Sequence, residues 1–186
     1  RESLREVLDS RAQIPYVARL GPWLYNLWRD ADNPRGLWRR TTLDEYRRAA
    51  PAWETVLDLD ALGRAEGRSW VWAGAAAHGP AYRRCLLSLS IGGADATVLR
   101  EFDLVDKRFV EPAEGGFAAP EAKTRVDWID DDHVYIGTDF GPGSLTDSGY
   151  PRLVKRWRRG QPLAEAETVF EGEASDISAW VSVDTT

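Results

Sequence analysis

The sequence predicts a mainly β protein: a partial β-propeller of about three four-stranded antiparallel blades behind a short N-terminal helix. Three observations carry that prediction. Beyond the first residues the apolar pattern has period two, in short runs rich in β-branched and aromatic residues. Gly, Pro, Asn and Asp separate those runs at hairpin spacing. The runs also recur in groups. Val56-Leu57-Asp58-Leu59 returns in character as Glu101-Phe102-Asp103-Leu104 and, degraded, as Glu167-Thr168-Val169-Phe170, while Trp28, Trp72, Trp128 and Trp180 recur at a comparable interval, each in a β-type run. A period of roughly 45 to 55 residues with about four short strands per unit is blade spacing; a sandwich need not repeat in fours.

The first stretch alone reads as helix. Ser3 stands as a cap with Glu6 completing a capping box, Leu4, Val7 and Leu8 form an apolar stripe, and Ile14-Pro15 stops the helix after about Gln13. Strands are then expected at Trp23 to Arg29, Leu37 to Thr42, Glu54 to Leu59, Trp70 to Ala75, Arg84 to Ser90, Thr97 to Asp103, Arg125 to Ile129, Val134 to Thr138, Arg152 to Arg158 and Glu167 to Glu171. Turns fall at Asp32-Asn33-Pro34-Arg35-Gly36, Gly92-Gly93-Ala94-Asp95, Asp130-Asp131-Asp132 and Arg159-Gly160-Gln161-Pro162. The expected division is a helix and linker over 1–20 and the partial propeller over 21–186. Its blades fall at about 21–62, 68–112 and 123–172, with the next blade starting over 175–186.

The 186 residues are 43% hydrophobic, enough to bury a core. A net charge of −6 repels phosphate backbones and anionic lipid, so nucleic acid and membrane are excluded as first-choice partners. The single cysteine, Cys85, lies in the apolar run Cys85-Leu86-Leu87-Ser88-Leu89 and reads as a buried structural thiol, which fits a reducing compartment. No apolar stretch approaches the ~20 residues that span a bilayer, and the charged N-terminus is unlike a signal peptide, so a soluble, cytoplasmic protein is expected. With no methionine and a start at Arg1-Glu2-Ser3, the chain reads as cut from something longer. A propeller closes with roughly four to eight blades, so a three-blade arc leaves open sheet edges. Either further blades follow Thr186, or copies associate as a homo-oligomer.

Three phrases, Gly36-Leu37-Trp38-Arg39-Arg40-Thr41-Thr42, Trp53-Glu54-Thr55-Val56-Leu57-Asp58-Leu59-Asp60-Ala61-Leu62, and Thr138-Asp139-Phe140-Gly141-Pro142-Gly143-Ser144-Leu145-Thr146 running on to Ser148-Gly149-Tyr150-Pro151-Arg152, resemble the first blades of bacterial prolyl oligopeptidase family proteins (peptidase family S9). Gly21-Pro22-Trp23-Leu24-Tyr25-Asn26-Leu27-Trp28-Arg29-Asp30 resembles the opening strand of that propeller. The match runs in order from about residue 14 to about residue 171. The resemblance implies a seven-bladed propeller joined to an α/β-hydrolase domain, with the active site facing the central channel. It also implies a serine peptidase cutting short peptides, typically after proline, while the propeller excludes folded proteins. Its Ser, Asp and His sit on the hydrolase domain, the serine on a G-x-S-x-G elbow. This chain contains no such motif, so no catalytic residue is carried over.

Independent catalysis would need His78 or His133 beside a serine such as Ser144, but both histidines read as solvent-facing turn residues. Asp130-Asp131-Asp132 and Asp30-Ala31-Asp32-Asn33 lack the calcium-loop continuation and read as turns, and Cys85 with two distant histidines makes no zinc site, so neither metal nor cofactor is expected. Lys155-Arg156-Trp157-Arg158-Arg159 reads as a strand with an exposed face rather than a nucleic-acid site, and most of the nine tryptophans as core rather than sugar platforms. The loop from Asp139 to Pro151 is the candidate site, because it is long and Gly/Ser-rich and holds two aromatics. Asp139, Phe140, Ser144, Tyr150 and Arg152 are its candidate substrate-cavity or interdomain residues; a purely structural Ω-loop is the competing reading. The function expected is a non-catalytic propeller fragment of a serine peptidase, partnered by the missing hydrolase domain and by short peptides. The alternatives are a stand-alone propeller that binds a ligand or protein, and a complete small hydrolase.

Overall fold

Strand-forming runs dominate residues 15–184, the part of the chain that the computed structural model describes. The helix expected over Ser3 to Gln13 lies outside the described residues. Strands β1 (Ala18–Leu20), β2 (Trp23–Trp28), β3 (Leu37–Thr42) and β4 (Glu54–Asp58) form one four-stranded sheet in chain order. The next sheet holds β5 (Trp70–Ala77), β6 (Arg84–Ile91), β7 (Thr97–Asp103) and β8 (Arg108–Phe109), with β9 (Ala118–Ala122) also paired to β7. The last holds β10 (Arg125–Trp128), β11 (His133–Gly137), β12 (Leu153–Arg158) and β13 (Glu167–Glu171). Their registers are antiparallel, as the hairpin turns require. This is the mainly β, three-sheet plan read from the sequence.

The chain divides into two compact units, one ending at Trp72 but including Gly79–Tyr82, the other made of Ala73–His78 and the residues from Arg83 onward. In the first unit Leu24, Tyr25, Trp28, Trp38 and Val56 are buried together with the polar Asn26, Arg40 and Thr41. Each of those polar groups finds a partner, as burial demands. Asn26 Nδ2 donates to Tyr16 O at 2.8 Å, Arg40 Nε to Glu54 Oε2 at 2.6 Å, and the Thr41 hydroxyl to Ala52 O at 2.7 Å. Arg39 lies between two tryptophans, its guanidinium carbon 4.2 Å from the Trp28 ring centre and 4.3 Å from that of Trp53. Burial lowers this guanidinium to about 10.

The expectation that only the N-terminal stretch is helical is corrected. A short turn of helix, α1 (Leu43–Tyr46), follows β3, and the eight-residue α2 (Leu59–Glu66) follows β4. Asp58 ends the strand and caps α2 by accepting the Ala61 N–H at 2.8 Å, while Gly67, at φ 63°, closes it in the left-handed conformation. Leu59, the buried first residue of α2, also continues the alternation of β4, so the sequence reading ran the strand through it and passed over the helix.

The second unit has an apolar core of Leu86, Leu99, Phe117, Ala119, Trp128, Val134, Ile136, Trp157 and Ala166. Phe117 meets Trp157 at 4.9 Å and Trp128 at 5.8 Å between ring centres, both edge-on. The two buried indoles are satisfied by main-chain oxygens, Trp128 Nε1 donating to Ala76 O and Trp157 Nε1 to Gln161 O. Cys85 is fully buried, and burial pushes its thiol pKa up, away from reactivity. Glu101 is a fully buried carboxylate beside this core. Its Oε2 accepts the Phe117 N–H at 2.9 Å and Arg159 Nη1 at 2.8 Å, and Arg84 stands 3.6 Å from Oε1.

The internal repeat is also corrected. Val56 to Leu59 ends the fourth strand of its sheet, Glu101 to Leu104 ends the third strand of the next, and Glu167 to Phe170 lies on the fourth strand of the last. The first two share strand-end chemistry rather than blade position: Asp58 and Asp103 each accept main-chain N–H groups of the following turn, and Leu59 and Leu104 are fully buried. Trp28 ends a second strand, Trp72 and Trp128 lie on first strands, and Trp180 lies outside any strand and is 68% exposed.

Candidate functional site

In an antiparallel meander the second-to-third connection and the crossing to the next sheet lie at the same end. Here Thr97 pairs with Ala122, and Arg125 with Gly137. The turn at residues 92–96, the crossing Lys123-Thr124 and the long loop after β11 are thereby gathered at one end of the second unit.

That loop is built largely from its own hydrogen bonds. Asp139 Oδ1 accepts the Gly141 N–H at 2.8 Å. The buried Ser144 hydroxyl accepts the Phe140 N–H at 2.9 Å and lies 2.7 Å from Gly141 O and 3.2 Å from Asp139 Oδ1. Arg152 donates through Nε and Nη2 to Gly143 O and through Nη1 to Glu171 Oε1 and Gly172 O. Phe140 packs against the apolar core, with the Lys155 ammonium 4.5 Å from its ring centre. Asp139, Phe140, Ser144 and Arg152 thus hold the loop in shape, as an Ω-loop's residues do.

Tyr150 differs. It borders a cavity of about 220 Å³ that is also lined by Ser88, Asp95, Thr97, Lys123 and Arg125. Its hydroxyl donates to Asp95 Oδ2 at 2.9 Å, Lys123 Nζ approaches the same oxygen at 3.2 Å, and that ammonium also sits 3.9 Å from the Tyr150 ring centre. The Tyr150 hydroxyl first, then Lys123, hold the Asp95 carboxyl below the usual carboxylate range. A second cavity, of about 570 Å³, is bordered by Arg125, Tyr150, Ile177, Ser178 and Trp180. Sequence reading singled out Tyr150 but neither Asp95, Lys123 nor Arg125. A lone charge on a turn carries no local signal, and the grouping joins residues 55 apart in sequence.

The histidines are corrected too. The His78 side chain is 18% exposed, stacks on Trp128 with ring centres 5.1 Å apart, and lies 3.2 Å from Asp131. His133 begins β11, half-buried, with Nδ1 3.0 Å from Asp130 Oδ1. Among the described residues neither histidine hydrogen-bonds a serine, and no three His, Cys, Asp or Glu side chains gather as a metal site would need. No helix among the described residues is long and apolar enough to cross a membrane. Among the described residues the cavity end brings together Asp95, Lys123, Arg125 and the Tyr150 hydroxyl.

Residues 3–186 match the sequence profile of the prolyl oligopeptidase N-terminal β-propeller domain. An uncharacterized peptidase of Sinorhizobium fredii is 43% identical over 169 residues, which cover 91% of this chain and 23% of the relative. An uncharacterized peptidase of Rickettsia prowazekii is 34% identical, over 88% of this chain and 23% of its own. The solved post-proline cleaving enzyme from Rickettsia typhi superposes with a TM-score of 0.87 at 32% identity, covering 95% of this chain and 26% of that one. Oligopeptidase B from Leishmania major has a TM-score of 0.62 at 14% identity over 91% of this chain and 23% of that one, a likeness of fold alone. The chain spans about a quarter of the length of each.

Proposed function

Because the chain belongs to the prolyl oligopeptidase N-terminal β-propeller family, we propose that it is the non-catalytic first part of the propeller of a serine peptidase that cuts short peptides after proline. The carrying observation is the match over residues 3–186 to a propeller domain, in a chain covering only 26% of a post-proline cleaving enzyme. On this reading the nucleophile, base and oxyanion hole belong to an α/β-hydrolase domain elsewhere in the parent chain. The propeller's task is access. In a ring of blades the first strand of each sheet lines the central channel. Strands β5 and β10, the outermost strands on one side of their sheets, take that place here.

The wholly exposed β13, carrying Val169 and Phe170 at 47% and 56% exposure, is the surface on which a further blade, or a second copy of the chain, would pair. The single buried thiol suits a cytoplasmic parent. The test compares the intact parent with the 186-residue chain on a proline-linked fluorogenic peptide and a fluorophosphonate probe. The parent should cleave and be labelled, and the chain alone should do neither. Cleavage or labelling by the chain alone, or an inert parent, would refute the reading.

A further inference from the structure

Three arginines of the first unit converge on one groove. Arg35, from the turn that leads into β3, and Arg64 and Arg68, from the second half of α2 and just beyond it, line a cavity of about 370 Å³, within the size range of small-molecule sites. Its described walls all come from residues 35–70 and belong to the first unit. The local fold builds this convergence. Asp60 Oδ2 accepts the main-chain N–H groups of Arg35 at 3.0 Å and Gly36 at 3.2 Å, and the Leu59 N–H donates to Gly36 O at 3.1 Å, which clamps the turn against the start of α2. Arg35 Nη2 then donates to the Ser69 hydroxyl at 2.7 Å. At the other end of α2, Gly63 O accepts the N–H groups of Gly67 and Arg68, folding the chain back over Gly63. A Cβ at residue 63 would stand 2.7 Å from Arg68 O, so this closure needs glycine there.

The groove is rich in donors. Arg64 and Arg68 are exposed and make no ion pair or side-chain hydrogen bond among the described residues, although the chain carries 30 acids against 24 basic residues. Asp60, the acid that borders the groove, is engaged by main-chain N–H groups, and Glu66 by the Trp70 indole N–H at 2.8 Å. The Ser69 hydroxyl, having accepted from Arg35, still has its proton to donate. Leu59 and Trp70 form a buried floor, so no ring face is open for a ligand to stack on. Like charges gathered at one place repel, and a multivalent anion reverses that cost. A single carboxylate is satisfied by one guanidinium fork, whereas three forks and a hydroxyl match the several oxygens and higher charge of linked phosphoryl groups.

We infer that this groove binds a diphosphate, held by Arg35, Arg64 and Arg68, with the Ser69 hydroxyl donating a further hydrogen bond. The site stands on one unit of this chain and uses no catalytic residue, so it goes beyond the peptidase reading and does not depend on it.

The test is calorimetric titration of inorganic pyrophosphate onto the intact parent. It should bind with a Kd below about 1 mM, and more weakly as salt is added. R64Q combined with R68Q should weaken it about tenfold, the scale of two exposed charge pairs. R47Q, whose arginine follows α1 and lies outside the groove, should leave it unchanged. Tricarballylate, with three carboxylates and no phosphoryl group, should bind about fivefold more weakly than pyrophosphate. ADP, which carries the same group on a nucleoside, should bind no tighter, because nothing in the groove stacks a base. Pyrophosphate binding that is absent, as it would be if another part of the parent covered the arginines, overturns the site, and so does binding that survives R64Q with R68Q. Equal affinity for tricarballylate overturns the phosphoryl assignment, and ADP binding about tenfold tighter than pyrophosphate overturns the free anion as the ligand.

Discussion

The two units of the chain bury different materials. In the first, the interior is part cation: Arg39 is layered between Trp28 and Trp53, and Arg40 lies against Trp23 at 4.4 Å while bonding Glu54. In the second, aliphatic and aromatic side chains fill the space and two carboxylates, Glu101 and Asp103, are enclosed with arginines around them. The difference teaches what a tryptophan does in this fold. In the first unit the faces of Trp23, Trp28 and Trp53 serve as surfaces for charge, while Trp38 packs on Tyr25 and Trp72; in the second Trp128 and Trp157 are volume, with the N–H tied to a main-chain oxygen.

The largest break in that comparison should come from Trp128→Ala, expected to cost about 4 kcal/mol because it empties the centre of the second unit's core. Trp72, half-buried and stacked on Trp38 at 4.8 Å, should cost about 2 kcal/mol on the same change. Denaturant midpoints at unchanged m-value measure both, and equal losses would erase the distinction between volume and surface. Glu101→Gln should cost about 3 kcal/mol, since it leaves Arg159 and Arg84 facing a neutral group in a buried setting. Arg39→Met keeps the stem but removes the charge between the two rings, and should cost about 1 kcal/mol, the size of a partly exposed cation–π contact. A neutral or stabilising result would mean that the first unit's cations are packing and nothing more.

Acid should separate the units by the smallest effect. Burial alone would raise the pKa of Asp103, but the N–H groups of Asp106 and Val105, with Arg83, pull it below its ordinary value. A carboxyl depressed in the folded state contributes stability that is complete above the unfolded value of about 3.9 and is lost as pH falls through the folded value. Asp103→Asn should therefore flatten the loss of stability below about pH 4. Asp30, lowered first by the Trp28 indole N–H and less buried than Asp103, should flatten it less. Thermal melts from pH 5 down to pH 2, run on both variants, check the order.

Period-two alternation placed β3, β7 and β13 at the bounds observed, and most other strands within a residue or two. It missed β1 and β8, which are too short to alternate, and β9, whose Ala118-Ala119-Pro120-Glu121-Ala122 has little strand propensity. It missed α2 because Leu59, the first residue of that helix, also continues the alternation of β4. The blade count was legible even though the repeat used to reach it was not a true one. Strand-end Asp-Leu pairs recur wherever a strand must stop on a capped turn, whichever strand it is.

Of the candidate loop residues, Tyr150 borders both cavities described above, and its partners were invisible in the sequence. Glycine, serine and proline content announces that a loop is long, not which of its polar groups the loop itself consumes. Alternation, turn residues and ordered family phrases are local or collinear, so the sequence by itself determined the β class, the order of its strands and the family. Which charge is neutralised, which tryptophan is buried, and that Arg125 stands beside Tyr150 and Trp180 depend on residues distant in the chain. Those facts were decided only when antiparallel pairing brought the loops of different strands to one end.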